Sequence, residues 1–151
     1  DETMPVSYRP DGGTIHAKYA NGVKLVMRPD MGRSHGTCPV RYEGDEGWVE
    51  TGDTGKISCH PKSLYGERRN FAVRGTNAAQ HTRNFFDCIK SRKLTNCNAD
   101  VMRHSHIACH AAAISWMLGR PLTFDPGKEA FVNDDEANRM RTRARRAPWN
   151  A

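Results

Sequence analysis

The stretch HSHIACH, residues 104–110, places three histidines and a cysteine within seven positions. Those residue types could ligate a metal, or pair a thiol nucleophile with a histidine base. Helix geometry limits both. At about 100° per residue, His104 and His110 lie roughly 60° to either side of Ile107, and Cys109 points to the opposite side. The four side chains cannot converge on one ion. His106 and His110, one turn apart, could form a two-ligand half-site, which still needs a carboxylate or histidine from elsewhere. No HExxH pattern accompanies them, so a metalloprotease-type base is missing. Adjacent Cys109 and His110 diverge by about 100°, which disfavours a nucleophile–base pair. The plainer reading is that Ala108, Ala111, Ala112 and Ala113 let this helix pack closely on a sheet, with the histidines as hydrogen-bonded flanks. HSHIACH reads as structural.

Other chemistry-bearing residues are thinner still. Cys59 and His60 end a strand, so their side chains face opposite ways. Trp48 and Trp116 read as core aromatics and Trp149 as a packed terminus. Neither GxGxxG nor GxxxxGK[ST] occurs, so nothing here cradles a dinucleotide or a nucleotide phosphate.

The 151 residues suit a single domain, 1–151, large enough to bury a core without disulfides or metal. Five cysteines, with no CxxC, point to reduced thiols and a cytoplasmic setting. No apolar run approaches the roughly 20 residues of a membrane span, and no signal-type segment opens the chain. The first residue is Asp1 rather than Met, which reads as a piece of a longer polypeptide. The net charge of +6 could indicate a polyanionic partner. Arg139, Arg141, Arg143, Arg145 and Arg146 lie close together, however, so the basicity is largely local and a nucleic-acid footprint is weakly supported.

The elements that must position these residues follow from periodicity. TIHAKY and VKLVMR flank Asn21-Gly22, a tight hairpin signal. A Gly-rich loop leads to PVRYE, then WVET and KISCH, with glycine at each reversal and antiparallel pairing throughout. Residues 61–76 read as a long polar loop. A first helix is expected from Asn77, with Gln80 as capping-box partner and Phe85, Cys88 and Ile89 as its apolar stripe. Asn98 or Asp100 opens a second, whose Ile107, Ala111, Ile114 and Leu118 share a face and which Gly119 and Pro121 stop. A short LTF strand follows. Asn133 and Glu136 are expected to cap a third helix bearing Ala137, Met140 and the arginines.

Several segments taken together resemble the C-terminal part of the Gfo/Idh/MocA oxidoreductases, and more narrowly the subgroup described as NADH-dependent dehydrogenases. These are HTRNFFDCIKSRK, the Cys109-His110 pair before the Ala-rich helix, LGRPLTFDP, the NDDEAN box, the closing RAPW and the turn from Gly44 to Val49. The resemblance spans nearly the whole chain. It implies an α+β fold: an open-faced, largely antiparallel sheet backed by two or three helices. It also implies a two-domain enzyme whose Rossmann domain holds NAD or NADP. The family's Glu-Lys-Pro motif with its lysine is missing from this sequence, and the resemblance places its Asp-x-x-x-His helix upstream. Catalytic, cofactor and metal residues are accordingly not expected within it.

The function implied is that of a substrate-side and oligomerisation domain, expected to be incomplete at its N-terminus, in an NAD(P)-dependent sugar or polyol oxidoreductase. Hydride would pass between the nicotinamide and a carbinol carbon, with an upstream lysine as acid/base. His16, Lys18, Arg41, His104 and His106 are the candidate residues of the substrate wall, with the loop around Arg68 a further possibility. A homodimer through the sheet face or edge is the expected assembly. Two rivals remain: a stand-alone sugar- or protein-binding module, and a nucleic-acid-binding protein acting through the arginine-rich tail.

Overall fold

The computed structural model describes residues 3–29, 35–65, 78–143 and 146–147. The chain divides into two compact units, Asp1–Pro29 with Cys97–Ala151, and Asp30–Asn96.

The first unit is built on β1 (Ser7–Asp11), β2 (Thr14–Lys18) and β3 (Lys24–Met27), joined by tight turns. At the second turn Gly22 has φ +92°, and its amide donates to the Tyr19 carbonyl at 3.0 Å. Asn21-Gly22 therefore forms the hairpin its sequence predicts. Strand β1 is not evident from sequence, because Pro10 argues against a strand. The register resolves this. Asp11↔Thr14 closes the two-residue turn, so Pro10↔Ile15 is a pair without hydrogen bonds, and the missing amide faces away from β2. On that side β7 (Leu122–Asp125) pairs only with Ser7 and Tyr8. Proline costs no ladder bond there. With the two-residue β8 (Ala130–Phe131), the antiparallel sheet runs β3-β2-β1-β7-β8.

Helix α2 (Ala99–Leu118) packs across one face of this sheet. Asn98 caps it, accepting from the amides of Asp100 and Val101 at 3.0 and 3.2 Å, and Gly119 ends it at φ +64°. Its buried residues include Ala111, Ala112 and Ile114, with Ile107 and Leu118 packed alongside, the face that periodicity predicts. They meet Tyr8, Ala17, Leu122, Phe124 and Phe131 from the sheet. Phe124 lies edge-on to both Tyr8 and Phe131, with centroids 6.2 and 5.3 Å away. Trp116 is not a core residue; it is 56% exposed, because nine positions from Ile107 place it about 180° around the helix.

Helix α3 (Asp135–Arg139) is short and begins one residue later than expected: Asp134, not Asn133, is the cap, accepting from the Ala137 amide at 3.0 Å. Arg141 and Arg143 follow after its end, and Arg145 and Trp149 lie outside the described residues. Asn138 fastens α3 to the sheet edge. Its side-chain amide accepts from Phe131 N–H at 2.9 Å and donates to Phe131 C=O at 2.8 Å, satisfying the groups that edge strand β8 turns outward.

In the second unit β4 (Val40–Gly44), β5 (Gly47–Thr51) and β6 (Ile57–His60) form the expected antiparallel meander, as a separate three-stranded sheet. A Cβ at Gly47 would run into the His60 carbonyl, and one at Gly52 into the His35 carbonyl, so both close approaches require glycine. Helix α1 (Ala78–Ser91) forms where expected, but none of its residues is buried, and Phe85, Phe86 and Ile89 are exposed. Its expected start at Asn77, and most of the polar loop including Arg68, lie outside the described residues. The fold class is α+β, with antiparallel sheets and three α-helices among the described residues.

Candidate functional site

In the first sheet, alternation places Tyr8, Ala17 and Leu25 toward α2, and Ser7, Arg9, Thr14, His16, Lys18 and Lys24 on the other face. His16 stands opposite Arg9 and 3.9 Å from Asp11; Lys18 stands opposite Ser7 and Lys24. The sheet's open face is therefore polar and basic. Val26 and, beyond β8, Val132 are exposed apolar side chains on it.

His104 and His106 lie on α2, which covers the opposite face. The His104 ring bridges Thr3 Oγ1 at 3.1 Å and the Arg103 guanidinium at 3.0 Å. Arg103 in turn contacts Glu129 and Asp100. His106 is exposed, and its ring sits 6.1 Å from that of His110, as one helical turn requires. Among the described residues no group of three or more His, Cys, Asp or Glu lies close enough to hold a metal ion. So His16 and Lys18 share one face, and His104 and His106 sit beyond the other.

Arg41 belongs to the second unit and is the one candidate in a dense polar cluster. It lies on β4 opposite Glu50 of β5, which stands opposite Ser58 of β6. Arg41 Nε and Nη2 both donate to Glu50 Oε2, at 2.9 and 2.7 Å, and the guanidinium stacks 4.3 Å over the Trp48 ring. Glu50 Oε1 holds His35 Nδ1 at 3.0 Å. His35 Nε2 meets Ser58 Oγ at 2.9 Å. The His35 and Glu50 side chains are 6% and 7% exposed, so the pair is shielded from water. The His35 carbonyl accepts from Thr54 N–H and Oγ1, which fixes the loop carrying the ring. Nearby, Thr37 Oγ1 donates to Asp53 at 2.5 Å and holds that carboxyl below its usual range.

This series of contacts has a defined polarity. A carboxylate only accepts, so the proton on the 3.0 Å contact sits on His35 Nδ1. In neutral imidazole Nε2 then accepts from the Ser58 hydroxyl. Sequence reasoning selected Arg41 and missed His35, Glu50 and Ser58. The Asp45-Glu46 hairpin could have placed Arg41 beside Glu50, but no local signal brings His35 to them.

Every strand pair among the described residues is antiparallel, so they contain no strand–helix–strand crossover of the kind that presents a helix N-terminus to a pyrophosphate.

Antiparallel sheets, the first of them backed by α2, define an α+β domain. Residues 11–151 match the family model described as "Oxidoreductase family, C-terminal alpha/beta domain", of the Gfo/Idh/MocA type. The chain belongs to that family and corresponds to its C-terminal domain. Comparison with curated proteins gave no match, and neither did comparison with solved structures. Among the described residues no helix is long and apolar enough to cross a membrane.

Proposed function

We propose that this chain is the substrate-side and assembly domain of an NAD(P)-dependent oxidoreductase acting on a sugar or polyol, and that it carries no redox catalysis by itself. The family match over residues 11–151 carries this reading. In this reading the dinucleotide belongs to a Rossmann domain of the intact enzyme, as family membership suggests. The hydroxyl-rich substrate class accords with the polar sheet face of Ser7, Arg9, Thr14, His16 and Lys18, whose donors and acceptors suit a carbinol-bearing ligand.

Assembly is the second half of the proposal. The four-residue strand β3 is an edge of its sheet, and an edge strand offers unpaired backbone groups to a second copy. A two-fold dimer satisfies both edges at once. Light scattering is expected to show a dimer at high micromolar concentration. A monodisperse monomer there would remove the assembly role. Assayed with NAD and a panel of polyols, the chain should give no turnover, and measurable NADH formation would overturn the accessory assignment.

A further inference from the structure

We propose that Ser58 is a base-activated nucleophile that takes acyl groups from small activated carboxylic esters, with His35 as its general base and Glu50 as the group that orients the base. This chemistry is separate from hydride transfer and does not depend on the oxidoreductase reading.

The geometry is that of a hydroxyl, an imidazole and a carboxylate in series. Ser58 Oγ lies 2.9 Å from His35 Nε2, and His35 Nδ1 lies 3.0 Å from Glu50 Oε1. Both distances fall within the reach that a nucleophile–base–orienter arrangement needs. Each partner is fixed from behind. Two donors from Arg41 hold the far oxygen of Glu50, Trp48 underlies Arg41, and Thr54 holds the His35 main chain. Burial of His35 and Glu50 strengthens their contact, whereas Ser58 is only half-buried and sits on β6, an edge strand of its sheet.

The edge also supplies a place for the developing oxyanion. Gly44↔Gly47 closes a two-residue turn and is therefore a hydrogen-bonded pair; counting along the ladder makes Glu50↔Ser58 one as well. The Cys59 amide consequently points away from β5, beside the nucleophile. An amide so placed can donate to the tetrahedral adduct.

In the step proposed, Ser58 Oγ bonds to the ester carbonyl carbon while His35 Nε2 accepts the hydroxyl proton. Collapse of the adduct breaks the carbon–oxygen bond to the alcohol, which departs with that proton and leaves acyl-Ser58. Water then attacks the acyl carbon with the same base, releasing the carboxylic acid and restoring the hydroxyl. No oxidant or reductant takes part.

The test uses the full chain with a fluorophosphonate probe, followed by peptide mapping, and with p-nitrophenyl acetate. One adduct per chain at Ser58 and a burst of p-nitrophenol are expected. Both rates should fall about 10²-fold or more in Ser58→Ala and in His35→Gln, variants whose folding is verified by circular dichroism. Absence of a Ser58 adduct in the unsubstituted chain overturns the proposal without recourse to any variant. So does p-nitrophenol release that is unchanged in Ser58→Ala, which would assign it to surface lysines or histidines.

Discussion

The guanidinium of Arg41 donates twice to a single oxygen of Glu50, from Nε at 2.9 Å and from Nη2 at 2.7 Å. The other Glu50 oxygen accepts from His35 Nδ1, so both oxygens of this buried β5 carboxylate are hydrogen-bonded. Removing such a carboxylate leaves its partners in a poorly solvated site. Glu50→Ala is expected to destabilise the protein by about 3–5 kcal/mol in urea titration. Arg41→Ala, at a half-exposed position, should cost less, about 1–3 kcal/mol. Equal, small effects from both would mean the cluster contributes little to folding.

Acid should weaken the attachment of α3. Arg120 donates to Asp134, and the Ala137 amide adds a second bond, which together lower the Asp134 carboxyl to about 2. A carboxyl depressed in the folded state contributes stability above its unfolded value, and that contribution is lost as pH falls from about 4 to about 2. Asp134→Asn should flatten the thermal-stability profile over that window. A variant profile that still falls in parallel with the parent's would place the acid sensitivity elsewhere.

Tyr8 is fully buried, and its hydroxyl has no hydrogen-bond partner among the described residues. Desolvation raises its pKa well above the ordinary tyrosine value. An orphaned buried hydroxyl is a cost, so Tyr8→Phe should be neutral or stabilising by up to about 1–2 kcal/mol. A loss of more than about 1 kcal/mol in a thermal melt would reveal a partner for that oxygen.

The two sides of α2 should respond oppositely to truncation. Ile114→Ala opens a cavity against the sheet and is expected to cost about 2–5 kcal/mol. Trp116→Ala, on the outward side, should change stability by only about 0.5 kcal/mol. Similar losses at both positions would show that the outward side is covered in solution.

How much of this was legible in the sequence depends on how local each signal is. Asn98, Gly119 and the Ile107–Leu118 face of α2 were readable because caps and helical period are properties of neighbouring residues. The Asn21-Gly22 hairpin was readable for the same reason. Strand β1 was obscured by Pro10, whose tolerance depends on where β7 stops pairing. The cap of α3 was misplaced by one residue because Asn133 and Asp134 are both good caps; Asn133 adopts φ +52° instead. Residue type alone points Trp116 to the core, although its spacing from Ile107 places it outside. Of the polar cluster, strand alternation could have aligned Arg41, Glu50 and Ser58. His35 arrives from a loop and is held by Thr54, a long-range contact that no sequence period encodes.

As the proposed substrate-side domain of an oxidoreductase, this chain is expected to hold no coenzyme itself. Titration of the chain with NADH in a calorimeter tests it most directly. Only heats of dilution are expected up to millimolar coenzyme. A saturable one-to-one isotherm with a micromolar dissociation constant would contradict it.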